Sequence, residues 1–476
     1  MKLLLHRGLT FLTAQIDSAR NFRSLLFRAA VIHAPFLLLY VAVSLLSISP
    51  QRISTYADSG DYLKYANSIV ESAATGTNHV TSLWFGPGYP LLLVPAVLLR
   101  IGIIPAMLVS PVLLYAATVF FFLTARRFLS TSLSLLLSAT HALYYPYLRS
   151  IQGLWSDPLA VLLVCAMCSI SPLLFVNTTE RSAHRYTFIG SLLLGYLSLT
   201  KPLFGYVFTV LILFSLTLLV LTRCAFWRQS FAICLGAGMV ALPYLCWTYN
   251  LTGKVFYWGT AGGSSLYFMT TGYDGEYGSW MPPHRIAVGR ENYHAAMERH
   301  YQVFDEWKGL TELQRDERLK HLAIDNIRKN PLVYIKNVLC NACRLFLDFP
   351  YSYEYQKPST LFYILPNIFL LVGGMVSIGL WIYFGVRLPS WLLWVGMLGV
   401  IYLGGTLLLS AYPRMLFPLV PILVLWEACI LSNCVSVRSG QERSKQAGIL
   451  NVQANAPRAA LQPKLSLNSI GESTTV

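Results

Sequence analysis

Residues 29–48 read Ala29-Ala-Val-Ile-His-Ala-Pro-Phe-Leu-Leu-Leu-Tyr-Val-Ala-Val-Ser-Leu-Leu-Ser-Ile48, twenty residues without one Asp, Glu, Lys or Arg. At about 1.5 Å of rise per helical residue, such a run covers the ~30 Å hydrocarbon core of a bilayer. The residues ahead of it hold Lys2, Arg7, Arg20, Arg23 and Arg28 against one acid, Asp17. Basic residues collect on the cytoplasmic side of spans, and no small-residue cleavage site follows. The run therefore reads as an uncleaved span entered from the cytoplasm behind an amphipathic N-terminus, residues 1–28. Comparable runs recur at 104–123, 133–147, 158–176, 186–200, 203–221, 231–247, 361–386, 391–409 and 415–431. The expected fold is an all-α polytopic membrane protein of about 10–12 transmembrane helices with a large outer-face loop domain.

Composition agrees with this reading. Only 12% of the 476 residues are charged, about half the share of a soluble protein, which excludes an ordinary cytosolic enzyme. The nine cysteines mostly sit inside apolar runs, as at Cys165, Cys168, Cys234, Cys246 and Cys429, which excludes a compact disulfide framework. Cys340 and Cys343 have CxxC spacing, but no second pair follows. The net charge of +15 is concentrated outside residues 250–359, where 13 Lys or Arg nearly balance 12 acids. The remaining basic residues are dispersed between spans with no patch interleaved with aromatics, so they set topology and no nucleic-acid partner is expected.

The segment 88–103 is short, opens with Gly88-Tyr-Pro and carries Pro95 and Arg100. Read as a re-entrant or partial span, it leaves Arg126, Arg127, Arg181, Arg185, Arg223, Arg228 and Arg387 on the cytoplasmic side with both basic termini. Seventeen basic residues then face inward and six lie in short outer segments. Parity places two loops on the outer face, 51–86 and 250–359. In the larger one, Thr311 and Gln314 form a potential capping box opening a helix through Asn330, and Pro331 fits the first turn of a second helix, 332–346, suited to a membrane surface. Aromatics from Tyr257 to Trp280 cluster among glycines, a pattern shared by sugar-stacking walls and interfacial belts. No internal repeat or nucleotide-binding glycine loop is present, and residues 435–476 read as a disordered cytoplasmic tail.

Nine acids lie outside the large loop, and charge beside hydrocarbon is costly enough to mark function. Asp58 and Asp61 fall in Tyr56-Ala-Asp-Ser-Gly-Asp-Tyr-Leu-Lys-Tyr-Ala-Asn67. Each suits a helix N-cap, and each also suits a general base within reach of an acceptor hydroxyl. Asp157, in Leu154-Trp-Ser-Asp-Pro-Leu159, opens a span at the outer face, where capping ahead of Pro158 is the alternative. Lys201 in Leu199-Thr-Lys-Pro202 and Arg414 in Tyr412-Pro-Arg-Met-Leu-Phe-Pro418 sit at outer span ends, against the positive-inside trend. A phosphate head group would explain both, as would snorkelling.

Further segments complete an ordered set: Phe85-Gly-Pro-Gly-Tyr-Pro-Leu91, Leu242-Pro-Tyr244, Tyr249-Asn-Leu-Thr-Gly253 and Asn330-Pro-Leu-Val-Tyr-Ile335. Across residues 50–425 this order resembles a GT-C type glycosyltransferase, in the group of dolichyl-phosphate-mannose protein mannosyltransferases and bacterial lipid A aminoarabinose transferases. The resemblance implies a GT-C-like, multi-pass enzyme of the bacterial inner membrane. It would take a sugar from a polyprenyl-phosphate carrier to a lipid, glycan or protein acceptor on the outer face. Asp58 matches the first-loop catalytic aspartate, with Asp61 close behind, and Arg414 and Lys201 match donor-phosphate-binding positions. Asp157 stands where an acid, commonly Glu, is found. Lys201 replaces a more usual Arg, and Met415 a more usual Tyr. No redox or nucleotide cofactor is required, and a divalent cation at Asp58 and Asp61 is compatible. Residues 29–249 form the expected catalytic membrane module and 360–434 the C-terminal helices. The rival reading is a lipid or glycolipid flippase, which expects charges near mid-span.

Overall fold

The computed structural model describes residues 10, 12–18, 21–47, 57–80, 82–175, 180–281, 298–305, 309–350 and 358–435. Of the expected tail, 435–476, all but Val435 lies outside them. Among the described residues there is no strand. The main helices are α1 (Phe22–Leu46), α2 (Ala57–Thr75), α3 (Gly88–Leu98), α4 (Val109–Ala125), α5 (Thr131–Ala142), α6 (Asp157–Leu174), α7 (Glu180–Thr200) and α8 (Leu203–Thr222). They continue as α9 (Ala225–Thr252), α10 (Ala261–Thr270), α11 (Glu312–Lys329), α12 (Pro331–Leu347), α13 (Leu361–Phe384), α14 (Ser390–Leu408) and α15 (Val420–Val435).

Among the described residues, seven helices are long and apolar enough to cross a membrane: α1, the stretch Ile103–Ala125 that ends in α4, α6, α8, α9, α13 and α14. Three expected runs differ. The run 186–200 lies in α7, whose opening turns carry Glu180, Arg181 and Arg185. The run 415–431 becomes a 3-10 turn, Pro413–Leu416, followed by the shorter α15. The run 133–147 is not one helix, which corrects the expectation of an unbroken span. α5 stops at Ala142, and a short helix, Tyr145–Ser150, restarts with Pro146 near its N-terminus. Proline has no N–H to leave unpaired and its fixed φ suits the first turn of a helix, which is where Pro146 stands in the restarted one. The break is stitched by the Tyr144 hydroxyl donating to Asn367 Oδ1 (2.5 Å) and the Tyr147 hydroxyl to the Phe417 carbonyl (3.1 Å). The 11 residues of α3 rise about 16 Å, too little to cross alone, in keeping with a partial span.

The core lies where α6 packs between α4 and α7 and α9 closes on α7 and α8. α14 joins the same core: Phe204 stacks on Tyr402 at 4.4 Å and Trp394 Nε1 donates to Ser230 Oγ at 3.0 Å. α13 turns most of its apolar surface outward, a surface that lipid would cover. At one end of the bundle, Asp17 accepts hydrogen bonds from Arg126 Nη2 and Thr131 Oγ1, each 2.6 Å, so the N-terminal segment meets the α4–α5 turn.

The large loop folds around α10, α11 and α12. The Thr311–Gln314 capping box forms as expected, with both reciprocal hydrogen bonds made. Buried Asp316 accepts from the Gly263 amide, the Tyr257 hydroxyl and Lys320 Nζ. Glu312 accepts from Ser82 Oγ, the Leu83 amide and Thr260 Oγ1, which ties the segment ahead of α3 to the large loop. In α12 the polar side chains Asn337, Asn341 and Arg344 are buried while Leu332, Ile335 and Leu339 are exposed. The helix is amphipathic with its apolar face outward.

Candidate functional site

Asp58 stands in the first turn of α2, where the exposed N–H groups of a helix favour a carboxylate. Arg414 stands in the 3-10 turn ahead of α15, 356 residues further along the chain, and its Nη1 meets Asp58 Oδ2 at 2.5 Å. Both side chains keep contact with solvent, at 28% exposed for Arg414 and 30% for Asp58. The guanidinium also lies over the Trp155 ring, 5.6 Å from its centroid.

A second pair adjoins the first. Asp157, the first residue of α6, is 1% exposed and takes Lys201 Nζ at 2.7 Å. It makes no side-chain cap; the N-cap is Ser156, whose hydroxyl instead accepts from Tyr62 of α2 at 2.9 Å. Burial works against the charge on Arg414, yet the carboxylates of Asp58 and then Asp157 outweigh it and hold its pKa above the ordinary value. One guanidinium thus feels both carboxylates. Burial, and next the Asp58 carboxylate, likewise push the Tyr62 phenol upward, so it stays a neutral hydrogen-bond donor.

Local packing explains how separate motifs reach one place. Tyr62 packs on Phe85 at 4.4 Å and edge-on to Tyr89 at 5.0 Å. Ser59 Oγ accepts from the Leu154 amide at 3.1 Å, which fixes the first turn of α2 to the segment that carries Trp155 and Asp157. The glycines of Phe85-Gly-Pro-Gly have a steric cause: a Cβ on Gly86 would fall 2.2 Å from the Leu199 carbonyl oxygen, and one on Gly88 2.5 Å from Thr200 Oγ1. The Phe85 segment and the Leu199-Thr-Lys-Pro segment therefore lie backbone against backbone, immediately before Lys201. Tyr196 adds a hydrogen bond to the Gly88 carbonyl at 2.8 Å.

The structure thus brings together Asp58, Asp157, Lys201 and Arg414. Asp61 is placed otherwise, 51% exposed and 3.7 Å from Lys64. A divalent cation held by Asp58 with Asp61 would have to compete with Arg414 for Asp58, and among the described residues no three His, Cys, Asp or Glu side chains gather as a metal cluster. Sequence reasoning did not single out Trp155, Ser59 or Tyr62 as partners of the charged groups. Their only signal was adjacency: Ser59 and Tyr62 flank Asp58 and Asp61, and Trp155 lies two residues before Asp157. Chemically, the site offers a solvent-reachable carboxyl group paired with a guanidinium that has donors to spare, backed by a buried acid–base pair.

No protein-family model and no curated protein sequence matches this chain. Among solved structures, it is similar to the archaeal oligosaccharyltransferase AglB from Archaeoglobus fulgidus in complex with an inhibitory peptide and a dolichol-phosphate. That likeness has a TM-score of 0.44 and 12% identity over 91% of this chain and 52% of the other. The Archaeoglobus fulgidus oligosaccharyltransferase in the apo form is similar at a TM-score of 0.46 and 12% identity, over 88% of this chain and 52% of the other. The chain spans about half the length of the structures it matches.

Proposed function

We propose that this chain is a multi-pass membrane glycosyltransferase that moves a monosaccharide from a polyprenyl-phosphate carrier to a lipid, glycan or protein acceptor, at the outer face of a bacterial inner membrane. The observation that carries the proposal is the solvent-reachable Asp58–Arg414 pair, in the first turn of α2 and the 3-10 turn ahead of α15, with Asp157 and Lys201 behind it at the starts of the membrane-length α6 and α8. An acceptor hydroxyl needs a base within hydrogen-bond reach, and a departing phosphate needs fixed positive charge.

In the proposed reaction the acceptor oxygen bonds to the anomeric carbon from the face opposite the phosphate. The bond from that carbon to the phosphate oxygen breaks, its electron pair leaves on the polyprenyl phosphate, and configuration inverts. Asp58 takes the acceptor proton. Arg414 holds Asp58 ionised and directs its remaining N–H groups at the phosphate, a planar bidentate contact that suits guanidinium. Lys201 neutralises Asp157, which in turn adds to the field that keeps Arg414 charged, and a second donor from Lys201 Nζ to the phosphate completes its assigned role. A flippase would string charges along the bundle. Glu427 in α15 is a charge of that kind, but the four-residue cluster sits at helix ends.

The test is incubation of the purified protein in lipid with a panel of polyprenyl-phosphate sugars, reading release of polyprenyl phosphate. Release with at least one donor, lost in Arg414→Ala, supports the proposal. Transbilayer movement of donors without release would overturn it in favour of the flippase.

A further inference from the structure

Arg344 of α12 is fully buried, and its five N–H groups meet five oxygens of the described residues. Nε donates to the Ala411 carbonyl (3.1 Å), Nη1 to the carbonyls of Tyr277 (3.2 Å) and Pro350 (3.0 Å), and Nη2 to the Gly278 carbonyl (3.0 Å) and Asn341 Oδ1 (2.9 Å). One turn earlier, Asn341 Nδ2 donates to the carbonyls of Thr406, Leu407 and Leu409, and its Oδ1 accepts from the Ala411 amide at 3.0 Å. Ser410 Oγ donates to the same Gly278 carbonyl at 2.8 Å, and the Tyr412 hydroxyl to the Trp280 carbonyl at 3.1 Å. Residues 406–412 are thereby fastened, atom by atom, to α12 and to the large loop. Arg414 follows two residues later.

We infer that Arg344, with Asn341, is a positioning residue for Arg414: it sets the backbone from which Arg414 reaches Asp58 and the donor phosphate. The donor-phosphate part of this inference rests on the proposed function. The guanidinium geometry is specific, because five N–H groups in a planar fork serve five acceptors at once, whereas an ammonium has three donors and no plane. The apolar face of the same helix points away and takes no part in the clamp.

The experiment uses the full-length protein in nanodiscs and reads two quantities. Hydrogen exchange at the amides of Ser410 and Ala411 reports the clamp, since these donate to the Ser265 carbonyl and to Asn341 Oδ1. Binding of polyprenyl phosphate reports Arg414. Arg344→Lys is expected to speed exchange at 410–411 and weaken binding, each about tenfold. Arg344→Lys added to Arg414→Lys is expected to weaken binding no further than Arg414→Lys alone, because both act through one contact. Should Arg344→Lys not fold, Ser410→Ala removes a single hydroxyl from the clamp and is expected to shift both readings in the same direction by less. Unchanged exchange in these variants overturns the clamp whatever the binding result. Faster exchange with unchanged binding, or binding losses that multiply in the double variant, overturns the action through Arg414. A wild-type protein that binds no polyprenyl phosphate overturns the donor reading instead, with the clamp still judged on exchange.

Discussion

Asp58 and Asp61 look equivalent as letters three apart, and the fold separates them. Asp58 meets an arginine 356 residues away, while Asp61 pairs with its helical neighbour Lys64. Nothing local to the Asp-Ser-Gly-Asp sequence decides which carboxylate turns toward a partner that distant, which is why both were expected to act. Asp58→Asn should therefore reduce transfer by at least about 100-fold, the scale of losing a positioned base, with Asp61→Asn near wild type. Asn caps a helix about as well as Asp, so near-normal turnover in Asp58→Asn would leave only a structural role. Arg414→Lys should recover part of the donor affinity lost in Arg414→Ala, measured by titration with polyprenyl phosphate. For the buried pair, Asp157→Asn or Lys201→Met alone should destabilise by about 3–5 kcal/mol by leaving one charge unpaired. The double variant should lose less than either, as read from thermal unfolding in detergent.

At the scale of elements, the apolar runs, the α11 capping box and Pro331 opening α12 were legible because they rest on composition and on neighbours within one helical turn. The break after α5 was not, although Pro146 marked it, because the run on both sides stays apolar. α12 was half legible: its two faces were evident, but polar residues ordinarily meet water, and here Asn337, Asn341 and Arg344 meet backbone carbonyls inside the protein. The glycines of the Phe85 segment yield a prediction at this scale. Gly88→Ala places a methyl 2.6 Å from the Thr200 amide nitrogen, where two backbones must part, and should cost about 1–3 kcal/mol. Gly60→Ala, with nothing within 4 Å and a helical position in α2, should be tolerated or gain up to about 1 kcal/mol. Melting curves of the two variants side by side decide this.

For the whole molecule, charge bias indicated that the loop carrying Asp58 and the large loop share one face. The hydrogen bonds of Glu312 to Ser82 and Leu83 join those loops directly, and Asp17 joins the N-terminus to the α4–α5 turn at the other end of the chain's first long helices. A cysteine at exposed Ser130 in a background without the nine native cysteines should then resist an impermeant thiol reagent added outside, and one at exposed Asp274 should react. The central claim is that Asp58 supplies the base in a glycosyl transfer from a polyprenyl-phosphate donor. Its most direct measurement is the ratio of turnover to donor binding, taken on one preparation each of wild type and Asp58→Asn with the same donor. The account predicts that binding stays within about threefold while release of polyprenyl phosphate falls at least about 100-fold. Loss of binding in proportion to turnover, or turnover equal in the two proteins, would contradict it.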